Sequence, residues 1–290
     1  MAKSQQSLSE LQIVRRIKDG RGQGFGKQYR PWLYVQDVPS EGRSHRIYSH
    51  KTGRVHHLLS DLELAAFLVF EWSPDIADIA DIADIADIAD IADIREQFPL
   101  RREDTRAIAA EHRLRHPSVR GVDQVMSSDF LVDTDNGLHR QFAVQVKPME
   151  ALSDVKIIEK LELERRYWQL KQVPWFLITE HEIDPVIRQN VEWLYPTKTE
   201  GLVEPGLLAQ LPLLYRTFSK APETKVIDIC KQIDTAYDLE LGHTLRDVRT
   251  LIANGFLKFN IHKVFRTITA AELIFCQFND MEALLHVANQ

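Results

Sequence analysis

Only two cysteines occur in 290 residues, at the widely separated positions Cys230 and Cys276. So small a complement excludes a disulfide framework and fits a reduced, cytoplasmic setting. Long apolar runs are missing as well: none approaches the roughly 20 residues of a membrane span. The opening "MAKSQQSLSE" lacks the hydrophobic stretch of a secretion signal. The expectation is a soluble cytoplasmic protein without a membrane partner. An excess of positive charge is lacking too, since 36 Lys and Arg face 42 Asp and Glu, a net −6. That balance is unpromising for a nucleic-acid binder.

A phosphate-binding loop is also missing, although "GRGQGFGK" resembles one. Arg21 stands where the motif needs its first glycine, and Gln28 where it needs Ser or Thr. The stretch reads as a flexible basic loop.

The most conspicuous feature present is "DIADIADIADIADIADIADIR", Asp75 to Arg95. A period of three suits neither regular element. On an α-helix successive isoleucines turn by about 300°, so they circle the helix without making one face. On a strand they alternate between both faces. Repeated aspartates also bring like charges together three residues apart. No stable, specific structure is expected of the run. Its seven aspartates also mask the rest of the chain, which is near neutral with clustered bases. In "GRSHRIYSHKTGRVHH", Arg46, Lys51, Arg54, His56 and His57 are candidate phosphate contacts. A solvated basic face accounts for the same pattern.

A content of 44% hydrophobic and 27% charged residues suits one or two globular domains. A helix is expected over "ELQIVRRIK" after Ser7 or Ser9, and two strands around a turn at Lys51–Gly53. "SDLELAAFLVFEW" has a helical pattern, with Ser60 as N-cap and Leu62, Ala65, Ala66, Val69 and Phe70 on one face. "REDTRAIAAEHRLR" follows the triplets as a helix capped by Asp104 and ended before Pro117. "SSDFLVDTDNGLHRQFAVQVKP" reads as a β-hairpin. A helix over Ser153–Leu170 and a strand in "VPWFLITE" follow. This order predicts an α/β core in 1–180. From 181 to 290 the pattern is mainly helical. "HTLRDVRTLIANG" is expected to begin with a Thr244/Asp247 capping box and end before Gly255. "FLKFNI" then alternates like a strand that "FRTIT" would pair. A winged helix has this order, and other helical bundles fit almost as well.

Period-two alternation puts Gln145 and Lys147 on one face of the second hairpin strand, opposite Phe142, Val144 and Val146. With Asp129 on the first strand they follow the spacing of a PD-(D/E)XK nuclease site. Such chemistry needs a divalent metal on oxygen ligands and a lysine near the attacking water. Gln145 replaces the usual second acid, and Ser128 the usual proline. An amphipathic hairpin without chemistry explains the pattern equally. Glu63 is available as a further carboxylate, or it completes a capping box on Ser60 N–H. His56/His57 and His112/His116 are weak metal pairs, the second spoiled by Pro117.

The blocks "GRSHRIYSHKTGRVHHLLSDLELAAFL", "DIREQFPL", "RGVDQVMSSDFLVD", "QFAVQVKP", "LERRYWQLKQVPWF" and "AYDLELGHTLRDVRTLIANGFLKFN" resemble the TnsA family. These are the endonuclease subunits of heteromeric cut-and-paste transposases. The resemblance implies an α/β restriction-endonuclease-like (PD-(D/E)XK-type) domain and a winged-helix C-terminal domain. It implies cutting of the 5′ strands at transposon ends while a DDE transposase, TnsB, processes the 3′ ends. The family's catalytic residues fall on Glu63, Asp129, Gln145 and Lys147. Glu63, Asp129 and Gln145 are implied to hold Mg²⁺, with Mn²⁺ able to substitute. A TnsC-type ATPase regulator is implied to dock on the C-terminal domain. The blocks join if "EWSPDIADIREQFPL" is the ordinary sequence, so five triplets read as a tandem expansion. Two other classes stay open: a stand-alone restriction or repair nuclease, and a catalytically idle DNA-binding assembly factor.

Overall fold

The computed structural model describes residues 8–38, 43–49, 51–72, 91–135, 140–199 and 203–276. The chain divides into two compact units, Met1–Ile183 and Asp184–Gln290.

In the first unit α1 (Glu10–Lys18) starts at a capping box in which Ser9 and Gln12 satisfy each other's backbone N–H. The glycine-rich segment after it is a set of fixed turns rather than a flexible loop. Gly26 N–H donates to Asp93 Oδ2 at 2.9 Å. Gly24 has φ +95°, and a Cβ there would meet Gln28 O at 2.5 Å, so the turn admits only glycine. β1 (His45–Ser49) and β2 (Arg54–Leu58) form the expected antiparallel hairpin. α2 (Asp61–Trp72) departs from its one-faced expectation. From Ala65 to Trp72 every side chain is buried, so the helix is a core element rather than an amphipathic cover.

The largest correction concerns the end of the triplet run. β3 spans Ile91–Pro99 and so takes in Ile91-Ala92-Asp93-Ile94-Arg95. Ile91 and Ile94 are buried, a β-bulge between Ile91 and Asp93 lets successive triplet positions turn inward, and Asp93 is satisfied by Gly26. Tertiary partners thus impose a strand on a sequence whose period disfavours one. Residues 73–90, with the earlier triplets, lie outside the described residues.

α3 (Arg102–His112) begins two residues before Asp104, which sits in its first turn instead of capping it; Arg113 ends it with φ 54°. A two-residue ladder, β4 (Ser118–Val119) with β5 (Val122–Asp123), follows. β6 (Ser127–Thr134) and β7 (Gln141–Val146) pair antiparallel, and the turn residues 136 and 137 lie outside the described residues. α4 (Val155–Leu170), capped by Asp154 where Ser153 was expected to start it, crosses to β8 (Trp175–Ile178). β8 runs parallel to β7. The strands lie in the order β3-β6-β7-β8, a mixed sheet with β6 inside it and almost wholly buried. On one face Phe130 and Phe142 meet Phe70 of α2, with ring centroids 5.7 and 6.0 Å apart. On the other, Leu131 and Ala143 pack with Ile108 of α3 and Leu163, Tyr167 and Trp168 of α4. The alternation of Phe130 with Leu131 and Phe142 with Ala143 is the period-two pattern of a sheet covered on both sides.

The second unit contains α5 (Pro185–Thr199), α6 (Pro205–Leu208), α7 (Leu211–Ser219), α8 (Val226–Ala236) and α9 (His243–Ala253). The Thr244/Asp247 box is replaced by a longer-range cap. Asp234 of α8 accepts N–H from Gly242 at 2.7 Å and from Thr244 at 2.9 Å. At the other end Gly255 has φ +79°, and Phe256 N–H reaches back to Leu251 O, the expected glycine stop. β9 (Leu257–Lys258) pairs with β10 (Ile274–Phe275), not with "FRTIT", because Phe265–Thr267 turns into a 3₁₀ helix with Phe265 buried. That aromatic stacks on Trp193 of α5 at 4.4 Å, so packing overrides its β propensity.

Candidate active site

Strand register brings the hairpin candidates together. Phe130 pairs with Val144, which sets Asp129 beside Gln145 and Lys147. Asp129 Oδ2 accepts three hydrogen bonds: from Gln145 Nε2 at 2.8 Å, Val146 N–H at 2.8 Å and Lys147 Nζ at 3.1 Å. Gln145 Oε1 accepts Asp129 N–H at 3.2 Å, so the amide locks the aspartate from both ends. Burial disfavours the Lys147 ammonium, but Asp129 and Glu63 more than offset it and raise its pKa above the ordinary lysine value. Lys147 is therefore a cation at neutral pH: a donor and a charge, not a base.

Glu63 comes from the first turn of α2, where Ser60 and Glu63 form a cap. Ser60 Oγ accepts Glu63 N–H at 3.1 Å, while Glu63 Oε2 accepts Leu59 N–H at 2.8 Å, one residue earlier than the box expected from Ser60 N–H. Capping and proximity to the site turn out to be compatible. Both Glu63 and Asp129 are buried, and one residue links them: Gln97 Nε2 lies 3.4 Å from Glu63 Oε2 and 3.3 Å from Asp129 Oδ1. Nothing in the sequence singles Gln97 out, because β3 already carries the polar residues Asp93, Arg95 and Glu96.

α4 adds two charged side chains. Glu164 accepts Ser128 Oγ at 2.6 Å and Trp175 Nε1 at 3.0 Å, and Trp168 Nε1 donates to the same Ser128 hydroxyl at 2.7 Å. Ser128, found where a proline was expected, thus ties the Asp129 strand to the helix. Burial pushes the Glu164 carboxyl up to about 7 despite those hydrogen bonds. A carboxyl raised in the folded state favours folding below its unfolded value of 4.5, and that advantage is lost as pH rises through 7. Glu164→Gln is therefore expected to flatten the fall in stability between pH 4.5 and 7, by on the order of 3 kcal/mol. Urea titrations in metal-free buffer across that range check it; an unchanged slope contradicts it. Lys160, one turn before Glu164, has its pKa lowered by burial and by the charge of Lys147.

The five phosphate-contact candidates separate. Arg46 is exposed and donates to Gln36, Lys51 is half-buried at the turn, and His57 is half-buried against Tyr34. Arg54 and His56 are buried and cannot meet DNA from where they stand. Arg54 forks onto Glu96 at 2.8 and 2.5 Å, and His56 Nδ1 lies 3.0 Å from Glu96 Oε2. Despite complete burial, the adjacent His56 ring and the Arg54 guanidinium hold the Glu96 carboxyl well below the usual range. His116 bonds Thr105 and His112 faces Arg166, so the two do not form a metal pair.

Two buried carboxylates around a neutral donor, with amide and main-chain oxygens beside them, fit a hard, partly hydrated divalent cation. Among the described residues no three His, Cys, Asp or Glu side chains gather into a closed metal cage. Carboxylates, an amide and a lysine on a mixed sheet are the equipment of a phosphodiester-cleaving enzyme. Comparison with known proteins gives the same class: residues 89–180 match the TnsA-like endonuclease N-terminal domain, and 182–261 the TnsA endonuclease C-terminal domain. The chain is 58% identical over 289 residues to the Transposon Tn7 transposition protein TnsA of Escherichia coli, covering 100% of both. It belongs to the TnsA family of transposition endonucleases.

Proposed function

We propose that this chain hydrolyses the 5′ strands at transposon ends in a divalent-metal reaction, with a TnsB-type transposase processing the 3′ strands. The observation that carries the reading is the convergence of Gln145 and Lys147 on Asp129, with Glu63 joined to Asp129 through Gln97 and its charge acting on Lys147. The N-terminal unit is read as a restriction-endonuclease-like domain of PD-(D/E)XK type. The order of α8, α9 and the β9/β10 ribbon supports a winged helix in the C-terminal unit, which we assign to docking a TnsC-type regulator.

Mg²⁺, or Mn²⁺ in its place, would be held by Glu63 and Asp129 with an oxygen from the Gln145 region. Bound there, it supplies charge neutralisation for the scissile phosphate and lowers the pKa of water. Lys147 orients the attacking water and offsets the charge that develops on the phosphate. Gln145 keeps Asp129 in one rotamer, and the Glu164–Ser128–Trp168 network fixes the strand beneath it. Among the described residues no helix is long and apolar enough to cross a bilayer.

Cleavage of 5′-labelled transposon-end DNA, with and without TnsB- and TnsC-type partners, tests this reading. Partner-dependent 5′ cutting is expected. Cutting of arbitrary DNA by the chain alone would make it a stand-alone nuclease, and no 5′ cutting in any mixture an idle assembly factor.

The triplets are assigned no part in this chemistry. Deleting Asp75–Ala89, five whole triplets, keeps "DIADIR" for β3. The connection between Trp72 and Ile91 shortens about sixfold, which changes its closure cost by only about 1.6 kcal/mol. The deletion variant is expected to retain 5′ cleavage within about twofold of wild type, measured as a single-turnover rate. A loss beyond tenfold would give the run a role.

A further inference from the structure

Gln97 sits at the centre of the site yet matches none of the four residues carried over from the family. It lies in β3 between the pairs Glu96↔Phe130 and Phe98↔Ser128, which brings it opposite Asp129. Its φ is +47°, a left-handed backbone inside a strand, and its side chain is 2% exposed. A non-glycine residue in that conformation and depth persists when the surroundings demand that side chain there.

The surroundings are two carboxylates. Gln97 Nε2 stands 3.4 Å from Glu63 Oε2 and 3.3 Å from Asp129 Oδ1, long for hydrogen bonds to anions, which normally close to about 2.7–2.9 Å. The amide thus spans both acids and grips neither tightly. It is also neutral, so it separates the two negative charges without cancelling them. The other end of the amide meets Ser127, whose hydroxyl donates to Gln97 Oε1 at 3.3 Å. A serine hydroxyl donates or accepts equally well. Rotation of the amide by 180° therefore keeps the Ser127 bond, with its direction reversed, and turns Oε1 toward Glu63 and Asp129.

From this geometry we infer that Gln97 is a further residue of the cation site, a molecular placeholder that becomes a ligand. Without a divalent cation its NH₂ bridges Glu63 and Asp129. With one bound between them, the amide turns and offers its oxygen. This inference rests on the proposed metal-dependent reading of the site, and the test separates the two.

The probe is Mn²⁺ alone, titrated into the full-length chain without DNA, with free Mn²⁺ followed by electron paramagnetic resonance. Wild type is expected to bind saturably, and Asp129→Asn to abolish binding. Gln97→Met keeps the length of the side chain but replaces the amide by a thioether, a poor ligand for a hard cation. It is expected to weaken Mn²⁺ binding by about 10- to 100-fold. Gln97→Glu, which keeps an oxygen in place, should bind at least as tightly as wild type. Gln97→Met binding as tightly as wild type, or more tightly, would make the amide only a plug and overturn the inference while leaving the metal site standing. Should the Met variant fail to fold by circular dichroism, the Glu variant decides: weaker binding than wild type overturns the inference. Absence of saturable Mn²⁺ binding in wild type would remove the metal-dependent reading and the inference together.

Discussion

Asp129→Ala and Lys147→Ala are each expected to lower 5′-strand cleavage by about 10³-fold, with folding and partner binding unchanged. The size of the effect follows from how much converges on one carboxylate. Asp129 Oδ2 accepts bonds from Gln145, Val146 and Lys147 at once. Removing it takes away one of two buried acids and frees the glutamine and lysine that it aligns. Lys147→Ala deletes the ammonium whose charge Asp129 and Glu63 sustain. Neither change creates a large cavity, so the cost falls on reaction rate. Single-turnover rates, with thermal melting and a partner pull-down as controls, check this. Wild-type cleavage in either variant contradicts the assignment.

The second large effect is on stability and involves a residue that looks, in sequence, like a DNA contact. Arg54→Ala is expected to destabilise the N-terminal unit by about 3–5 kcal/mol, the usual cost of stripping one partner from a buried ion pair. Glu96 is fully buried, and Arg54 contributes both its Nη atoms to it and donates to Ile94 O at 2.7 Å. Alanine would leave a buried carboxylate with only the His56 ring and the His57 N–H, 3.2 Å from Oε1, facing it. Arg46→Ala, on an exposed position of the same hairpin, should change stability by less than about 0.5 kcal/mol. Urea unfolding of both variants separates the roles. Equal stabilities would mean that the buried pair contributes nothing net.

That contrast marks where the sequence is legible. Asp129, Gln145 and Lys147 could be grouped from sequence because hairpin register and period two are local rules. The α/β core was legible from the order of strand, strand, helix and strand, whereas the burial of both sheet faces was not, because α2 and α4 cover them from outside the hairpin. Arg54 and His56 could not be separated from Arg46, since their burial depends on Glu96, some forty residues away across the triplet run. Asp93 belongs to a repeat that predicts no structure, and only Gly26 and the strand beside it reveal its place. The Asp234 cap on α9 spans a loop, whereas the Thr244/Asp247 motif is local and was not used. Gln97 had no periodic signal, because a left-handed residue in a strand interrupts periodicity. In each case the missing information was a long-range polar partner.

The most direct measurement resolves the two strands of a transposon end in one reaction. Wild type or Asp129→Asn chain is mixed with the TnsB- and TnsC-type partners and Mg²⁺, and each strand carries its own label. The account predicts that wild type gives both 5′ and 3′ breaks, whereas Asp129→Asn leaves the 5′ strands intact with 3′ processing unchanged. Normal 5′ breaks with Asp129→Asn, or loss of 3′ breaks alone, would contradict it.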